Sequence, residues 1–253
     1  MSSFASLSGS SVAIDSAALK AFRASLSGET IAPGDAAYDE ARAVWNAMID
    51  KRPALIARCA NTDDIVKCVK FAAQHSILSS VRGAGHNVAG SALADGGLVI
   101  DLSGLKEVTV DHAKKTAQIQ PGATLADVDK ATQAHGLIVP TGINSTTGIA
   151  GLVLGGGVGW NSRKYGLTCD ALKSVDIVTA DGAVRHADAN ENSDLYWAVR
   201  GGGGNFGVIA NFEFNLYPVG PEVYAGLIVF SLAEGKTVLA KFRELSTSVS
   251  RET

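Results

Sequence analysis

One histidine stands in a run that could grip a phosphate-bearing ligand and react with it: Val81-Arg82-Gly83-Ala84-Gly85-His86-Asn87. Free backbone N–H groups in such a glycine loop form nests for phosphate oxygens, and Arg82 adds a positive charge. The same spelling also serves a tight turn with Arg82 in a surface ion pair. An ordinary imidazole titrates near ~6.5, so at pH 7 a histidine here can offer a neutral nitrogen as base, metal ligand or covalent tether. No second histidine or carboxylate stands nearby at metal spacing, so no metal site is expected.

Two further glycine clusters accompany this loop. Thr146 to Trp160 carries Gly148, Gly151, Gly155, Gly156, Gly157 and Gly159. Each glycine costs roughly 0.5–1 kcal/mol relative to alanine in regular structure. Close helix packing would explain the cluster, and so would a surface on which a flat ring lies. In Gly201 to Gly207, Gly202, Gly204 and Gly207 spell G-x-G-x-x-G. That fingerprint must follow a strand and open a helix. Here a helix is expected before it and a strand after it, which excludes the Rossmann reading. No glycine pair is followed by Lys-Ser or Lys-Thr, so a Walker A loop is absent.

Regular elements must hold these loops. Residues 1 to 34 read as a weakly helical arm. Asp35 to Ile49 reads as a helix, with Tyr38, Ala41, Val44, Trp45 and Met48 at spacings of three and four. Ala54 to Arg58 reads as a strand, and Asn61 caps a helix running to His75. Strands are expected at Ile77 to Val81 and Leu98 to Leu102. A hairpin is expected over Glu107 to Gln120, and a helix capped by Thr124 from there to His135. Asp181-Gly182 marks a hairpin between Leu172 to Ala180 and Ala183 to Ala187. Ser193 caps a helix to Arg200. Val208, Ala210, Phe212, Phe214 and Leu216 alternate with polar residues, except for Ile209, as a strand does. After Pro218 and Pro221, a strand (Val223 to Ser231) and a helix (Ala233 to Ser246) follow. Hairpins beside crossover helices favour an α+β fold.

Composition narrows the function classes. The chain has 253 residues, 46% of them hydrophobic and 19% charged, with a formal charge of −3. That excludes disorder and argues against a nucleic-acid partner or a polybasic membrane face. No apolar run approaches the ~20 residues of a membrane span. The Ser-rich start lacks the marks of a signal peptide. Cys59, Cys68 and Cys169 lie far apart without metal spacing and suit free thiols, so a cytoplasmic location is expected.

Five ordered motifs resemble the FAD-linked oxidases of the vanillyl-alcohol oxidase superfamily, closest to the berberine bridge enzyme-like branch. They are Arg82 to Asn87, Gly97 to Leu102, Gly155 to Trp160, Arg163 to Asp170 and Asp194 to Val208. The resemblance implies an α+β, two-subdomain FAD-binding domain of the PCMH type over residues 38–218, divided near 102. Residues 1–37 would be an arm, and 219–253 the opening of an incomplete substrate-binding domain. It implies FAD contacts at Arg82, Gly83, Ala84, Gly85, His86, Asn87 and Gly90. Further contacts would fall at Thr141, Gly142, Thr147, Gly148, Gly151, Gly155, Gly157, Gly159 and Trp160, and at Asn205, Gly207 and Val208. His86 would bond covalently to the 8α-methyl of the flavin. Some members add a cysteine tether, and its position aligns with Asn144, which cannot form a thioether. The implied activity is hydride transfer from a C–H bond of an alcohol, sugar-like or amine substrate to flavin, with dioxygen as acceptor and hydrogen peroxide as product. A dehydrogenase with another acceptor and a non-catalytic FAD-binding fragment are the alternatives. The catalytic base is expected in a C-terminal part that this chain lacks. Glu222, Glu234 and Glu244, the acids after Pro218 and before the last residues, offer no evident candidate. Substrate and oligomeric state are not legible.

Overall fold

In the computed structural model, residues 2–250 are described. The run Leu98–Asp101 is buried at every position and forms an inner strand of a four-stranded sheet. It pairs in parallel with Leu55–Arg58 on one side and Ser79–Arg82 on the other. Such runs are what a strand covered on both faces requires. Glu29–Ile31 closes one edge antiparallel, and Ser79–Arg82 is the opposite edge. Helix Thr62–Gln74 connects two of these strands. Asn61 caps it by accepting from Asp64 N at 2.9 Å.

A five-stranded antiparallel sheet follows, ordered Val184–Ala187, Leu172–Val178, Val208–Asn215, Thr116–Ile119, Val108–Asp111. Helix Leu125–Gln133 packs against it, with Thr124 and Asp127 in a reciprocal capping box. Ile209, the exception in the alternating pattern, is explained by register. Ile177 pairs with Ile209 but Asp176 with Asn211, so Ala210 is an extra residue. This bulge reverses the faces of the strand. Ile209, Phe212 and Phe214 therefore enter the core of the second sheet, while Val208 and Ala210 enter that of the first.

Four expectations are corrected. Residues 1–34 are no weakly helical arm. They form a hairpin (Ser2–Ala5 with Ser11–Ile14), helix Ser16–Ser25 and the edge strand, and they bury Phe4, Ile14, Phe22 and Ile31. The four-residue strands are too short for periodicity to reveal. The anchor is a buried carboxylate: Asp64 accepts from Ser27 N (2.9 Å), Gly28 N (2.9 Å) and Ala60 N (3.0 Å). Asp64→Ala would strand these donors. The expected loss is about 2–4 kcal/mol of unfolding free energy, read from the denaturant midpoint.

The helix expected over Asp35 to Ile49 covers only Tyr38–Ala41. Continuing it requires Trp45 N–H to donate to Ala41 O. Instead Trp45 N–H donates to Gly85 O at 3.1 Å, and Arg82 Nη1 donates to Ala41 O. The glycine loop thus takes both halves of the bond. Ser193 is the first helical residue rather than the cap; Asn192 precedes it at φ +47°.

Val223 to Ser231 forms no strand among the described residues. Tyr224, Leu227, Ile228 and Val229 are exposed, and the segment pairs with no strand among the described residues. A lone strand is not stable without partners. The helix after it is present as Gly235–Leu245 and buries nothing.

On the outer hairpin, His186 Nδ1 lies 2.8 Å from Asp176 Oδ1. Hydrogen bonding to that carboxylate raises the imidazole pKa above its ordinary value. A raised folded-state pKa contributes stability below the unfolded value and loses it as pH rises through the folded value. His186→Gln should therefore lower the melting temperature more at about pH 5.5 than at about pH 8.5.

Candidate cofactor site

Strand Ser79–Arg82 delivers the glycine loop at a sheet edge, and Leu102 N donates to Arg82 O at 2.8 Å to hold its start. Among the described residues, the N–H groups of Gly83 to Asn87 meet no protein acceptor. The Arg82 Nε–H is buried and also unpaired. Gly85 lies directly over it: a Cβ there would stand 3.4 Å from Nε, and φ is +75°. A buried donor without an acceptor, as at Arg82 Nε, is rare in folded proteins. With the unpaired N–H groups of the partly exposed loop beside it, it makes the kind of nest an anion requires.

The segment just after the loop is held by two side chains from the preceding turn. Asn46 Nδ2 donates to Val88 O at 2.8 Å, and Lys51 Nζ to Gly90 O at 2.7 Å. The Trp45 ring stacks on His86, with centroids 5.4 Å apart and planes 21° apart. On the other side His86 Nε2 lies 3.1 Å from Thr146 Oγ1. The second glycine cluster meets the first at Gly148, where a Cβ would stand 2.9 Å from the Ala84 Cβ. Gly83 to Asn87, Ala92, Thr147, Gly148, Gly151 and Leu152 enclose a cavity of about 240 Å³. A groove of about 510 Å³ lies on the other side, where Trp45, Arg82, His86, Lys106, Thr124 and Thr146 meet.

The remaining implied contacts fall elsewhere. Asn205, Gly207 and Val208 line a separate cleft of about 350 Å³ with Val81, Ile100 and Val178. Gly207 has φ +149°, and a Cβ would strike Val178 O at 2.4 Å. Gly159 packs on the Thr141 carbonyl, where a Cβ would stand 1.7 Å away, and Gly157 packs on the Thr168 side chain. These two are close-packing glycines. Gly90 turns against Ile49, Gly142 packs beside Leu125 and Leu152, and Gly155 ends helix Ile149–Leu154. Trp160 is 83% exposed. Cys169 is buried, and burial pushes its thiol up, away from thiolate chemistry.

Two site residues escaped sequence reasoning. Trp45 reads as one face of a helix, and Thr146 carries no local signal for a partner 60 positions away. Among the described residues no group of three or more His, Cys, Asp or Glu side chains could hold a metal ion, and no helix is long and apolar enough to cross a membrane.

Unpaired donors on a glycine loop where a parallel-containing sheet meets an antiparallel one define a nucleotide-cofactor-binding domain outside the Rossmann class. A glycine cradle and an orphaned guanidinium N–H fit a diphosphate. A family model described as FAD binding domain matches residues 53–188, more than half of the chain, and the chain belongs to that family. (R)-6-hydroxynicotine oxidase of Paenarthrobacter nicotinovorans is 39% identical over 207 residues, covering 82% of this chain and 45% of that protein. The crystal structure of 6-hydroxy-D-nicotine oxidase from Arthrobacter nicotinovorans superposes with TM-score 0.82 at 37% identity, covering 87% of this chain and 49% of the other. A glucooligosaccharide oxidase of Acremonium strictum, described with a 6-S-cysteinyl, 8α-N1-histidyl FAD, gives TM-score 0.74 at 33% identity over 79% of this chain and 42% of its own. The expected α+β FAD-binding fold is thus met. The chain spans about half the length of the relatives it matches.

Proposed function

We propose that the chain holds FAD covalently through His86 and forms the cofactor half of an oxidase. That enzyme would act on a C–H bond beside the amine or hydroxyl of a small molecule. The observation that carries this reading is the loop itself: unpaired N–H groups and Arg82 Nε stand next to an imidazole held by Trp45 and Thr146. When bound, FAD supplies a two-electron acceptor that the side chains lack. Gly83 to Asn87 and Arg82 would hold the diphosphate. Gly148 and Gly151 would let the ring approach the backbone. The cleft at Gly207 and Val208 would take another part of the same extended molecule. His86 would supply the imidazole nitrogen that bonds to the 8α carbon, that methyl and the imidazole each giving up one proton and dioxygen taking the two protons and two electrons as hydrogen peroxide. Asn144 stands where a second, cysteine tether would be, so one bond is expected. Relatives that oxidise hydroxynicotine and gluco-oligosaccharides support amine and sugar-like substrates.

Residues after Pro218 open the substrate-binding part in this reading, in keeping with their exposed apolar side chains. Among the described residues, no acid or base of that segment lines the His86 cavity or the groove beside it. General acid–base groups typically contribute 10²–10⁴-fold. The chain alone should therefore retain flavin through desalting, while anaerobic bleaching by alcohols, sugars and amines stays slow by about that factor relative to a protein of the relatives' length. Rapid bleaching by this chain alone would show that the reacting groups are already present. Loss of all flavin on desalting would overturn the reading, and flavin reduction without peroxide would assign a dehydrogenase.

A further inference from the structure

We infer that Asn144, acting through Thr146, holds His86 as its Nε2–H tautomer and so leaves the lone pair on Nδ1. This rests on the reading of His86 as the attachment residue. The Thr146 backbone N–H lies 3.1 Å from the Asn144 side chain, and a backbone N–H only donates. The atom facing it is therefore the carbonyl Oδ1 and not the amide nitrogen, which removes the usual ambiguity of an asparagine. The same Oδ1 lies 2.9 Å from Thr146 Oγ1. A carbonyl oxygen accepts, so the hydroxyl donates its one proton there. At the His86 contact of 3.1 Å, Thr146 Oγ1 has only lone pairs left to offer. Nε2 must then be the donor. In a neutral ring the other nitrogen, Nδ1, carries the lone pair.

The arrangement is fixed at each end. Thr147 N donates to Asn144 O at 3.0 Å, which closes the turn that sets the Asn144 side chain. The Trp45 ring covers one face of the imidazole and limits its rotation. Asn144 and Thr146 are positioning residues, since neither nucleophile nor phosphate cradle is theirs.

Two measurements test this, and the first needs no flavin. Long-range ¹H–¹⁵N spectra of the flavin-free chain at about pH 8.5, above the ordinary imidazole range, give the tautomer ratio of His86, assigned by difference against His86→Asn. Free imidazole side chains populate both forms. The ratio of Nε2–H to Nδ1–H should fall about tenfold in Thr146→Val and in Asn144→Leu, the scale of one hydrogen bond at the upper end of its net range. Asn144→Asp keeps the acceptor and should keep the ratio. An unaltered chain whose ratio equals that of Thr146→Val, or one dominated by Nδ1–H, would overturn the inference even if every variant of Asn144 failed to fold. The second measurement is NMR of the proteolytic flavopeptide. Contacts from the 8α protons to the His86 β protons are expected for an Nδ1 bond. Contacts to the ring Hδ2 would mean an Nε2 bond and overturn it. A chain that binds no flavin would defeat the function proposed above, while the tautomer ratio would still decide this point.

Discussion

Acid-precipitated His86→Ala chain should release its flavin to the supernatant, whereas the unaltered chain should carry the yellow colour into the pellet. The expected change in retained flavin is from nearly all to nearly none. The reason is chemical: a covalent bond survives unfolding, and among the described residues the other side chains lining the cavity are those of Ala84, Asn87, Ala92, Thr147 and Leu152, none of them a nucleophile to match a neutral imidazole. Cys169 is buried with its thiol pushed up, and Asn144 bears no sulfur. Cys169→Ser should therefore leave retention intact. Non-covalent binding by His86→Ala should persist, because the donors of Gly83 to Asn87 and Arg82 remain. A visible spectrum taken before and after acid treatment separates the two effects. Unaltered protein that loses its colour to the supernatant would defeat the assignment of His86.

Gly148→Val should abolish flavin binding while leaving the fold in place, with affinity falling at least ~100-fold, equivalent to ~3 kcal/mol. The backbone itself accepts a side chain, since Gly148 has φ −79°. The obstacle is the neighbour. A Cβ stands 2.9 Å from the Ala84 Cβ and 3.0 Å from its N, so the phosphate loop must move. The γ methyls would then stand in the cavity itself. Gly151→Ala supplies the control, because nothing lies within 4 Å of its added Cβ. Fluorescence titration with FAD, alongside circular dichroism of both variants, measures the contrast. Equal affinity for Gly148→Val and the parent would show that FAD does not use this cavity.

What could be read from sequence followed the range of each signal. Helix Thr62–Gln74, the hairpin at Asp181-Gly182 and strand Val208–Asn215 announce themselves through caps, turn residues and periodicity, all local. The glycine loop was legible because its composition has few other uses. Tyr38–Ala41 was overextended because the competitors for its hydrogen bonds, Arg82 and Gly85, lie some forty positions away. Trp45 falls on the apolar spacing of that expected helix, and its place beside His86 depends on the same distant partners. The N-terminal hairpin is not legible because its strands are four residues long, and Phe4 and Ile14 share a core with Ile65, Phe71 and Leu98, fifty or more positions away. Asn144 was identified by the cysteine it is not. What it does instead depends on where one hydroxyl proton points, which only coordinates show.

The bulge at Ala210 has a consequence for the order of assembly. Val208 and Ala210 share a core with Phe4, Ile14 and Phe22, while Ile209, Phe212 and Phe214, in the same strand, complete the other core. Leu7 and Val208 line one cleft although about two hundred positions separate them. Neither sheet can therefore finish folding during synthesis until this late strand has emerged. Contacts so distant in sequence make for slow closure, and earlier stages expose unsealed apolar surface to chaperones or aggregation. Once the strand is in place, one continuous backbone joins the two cores, so they cannot part without breaking its pairing.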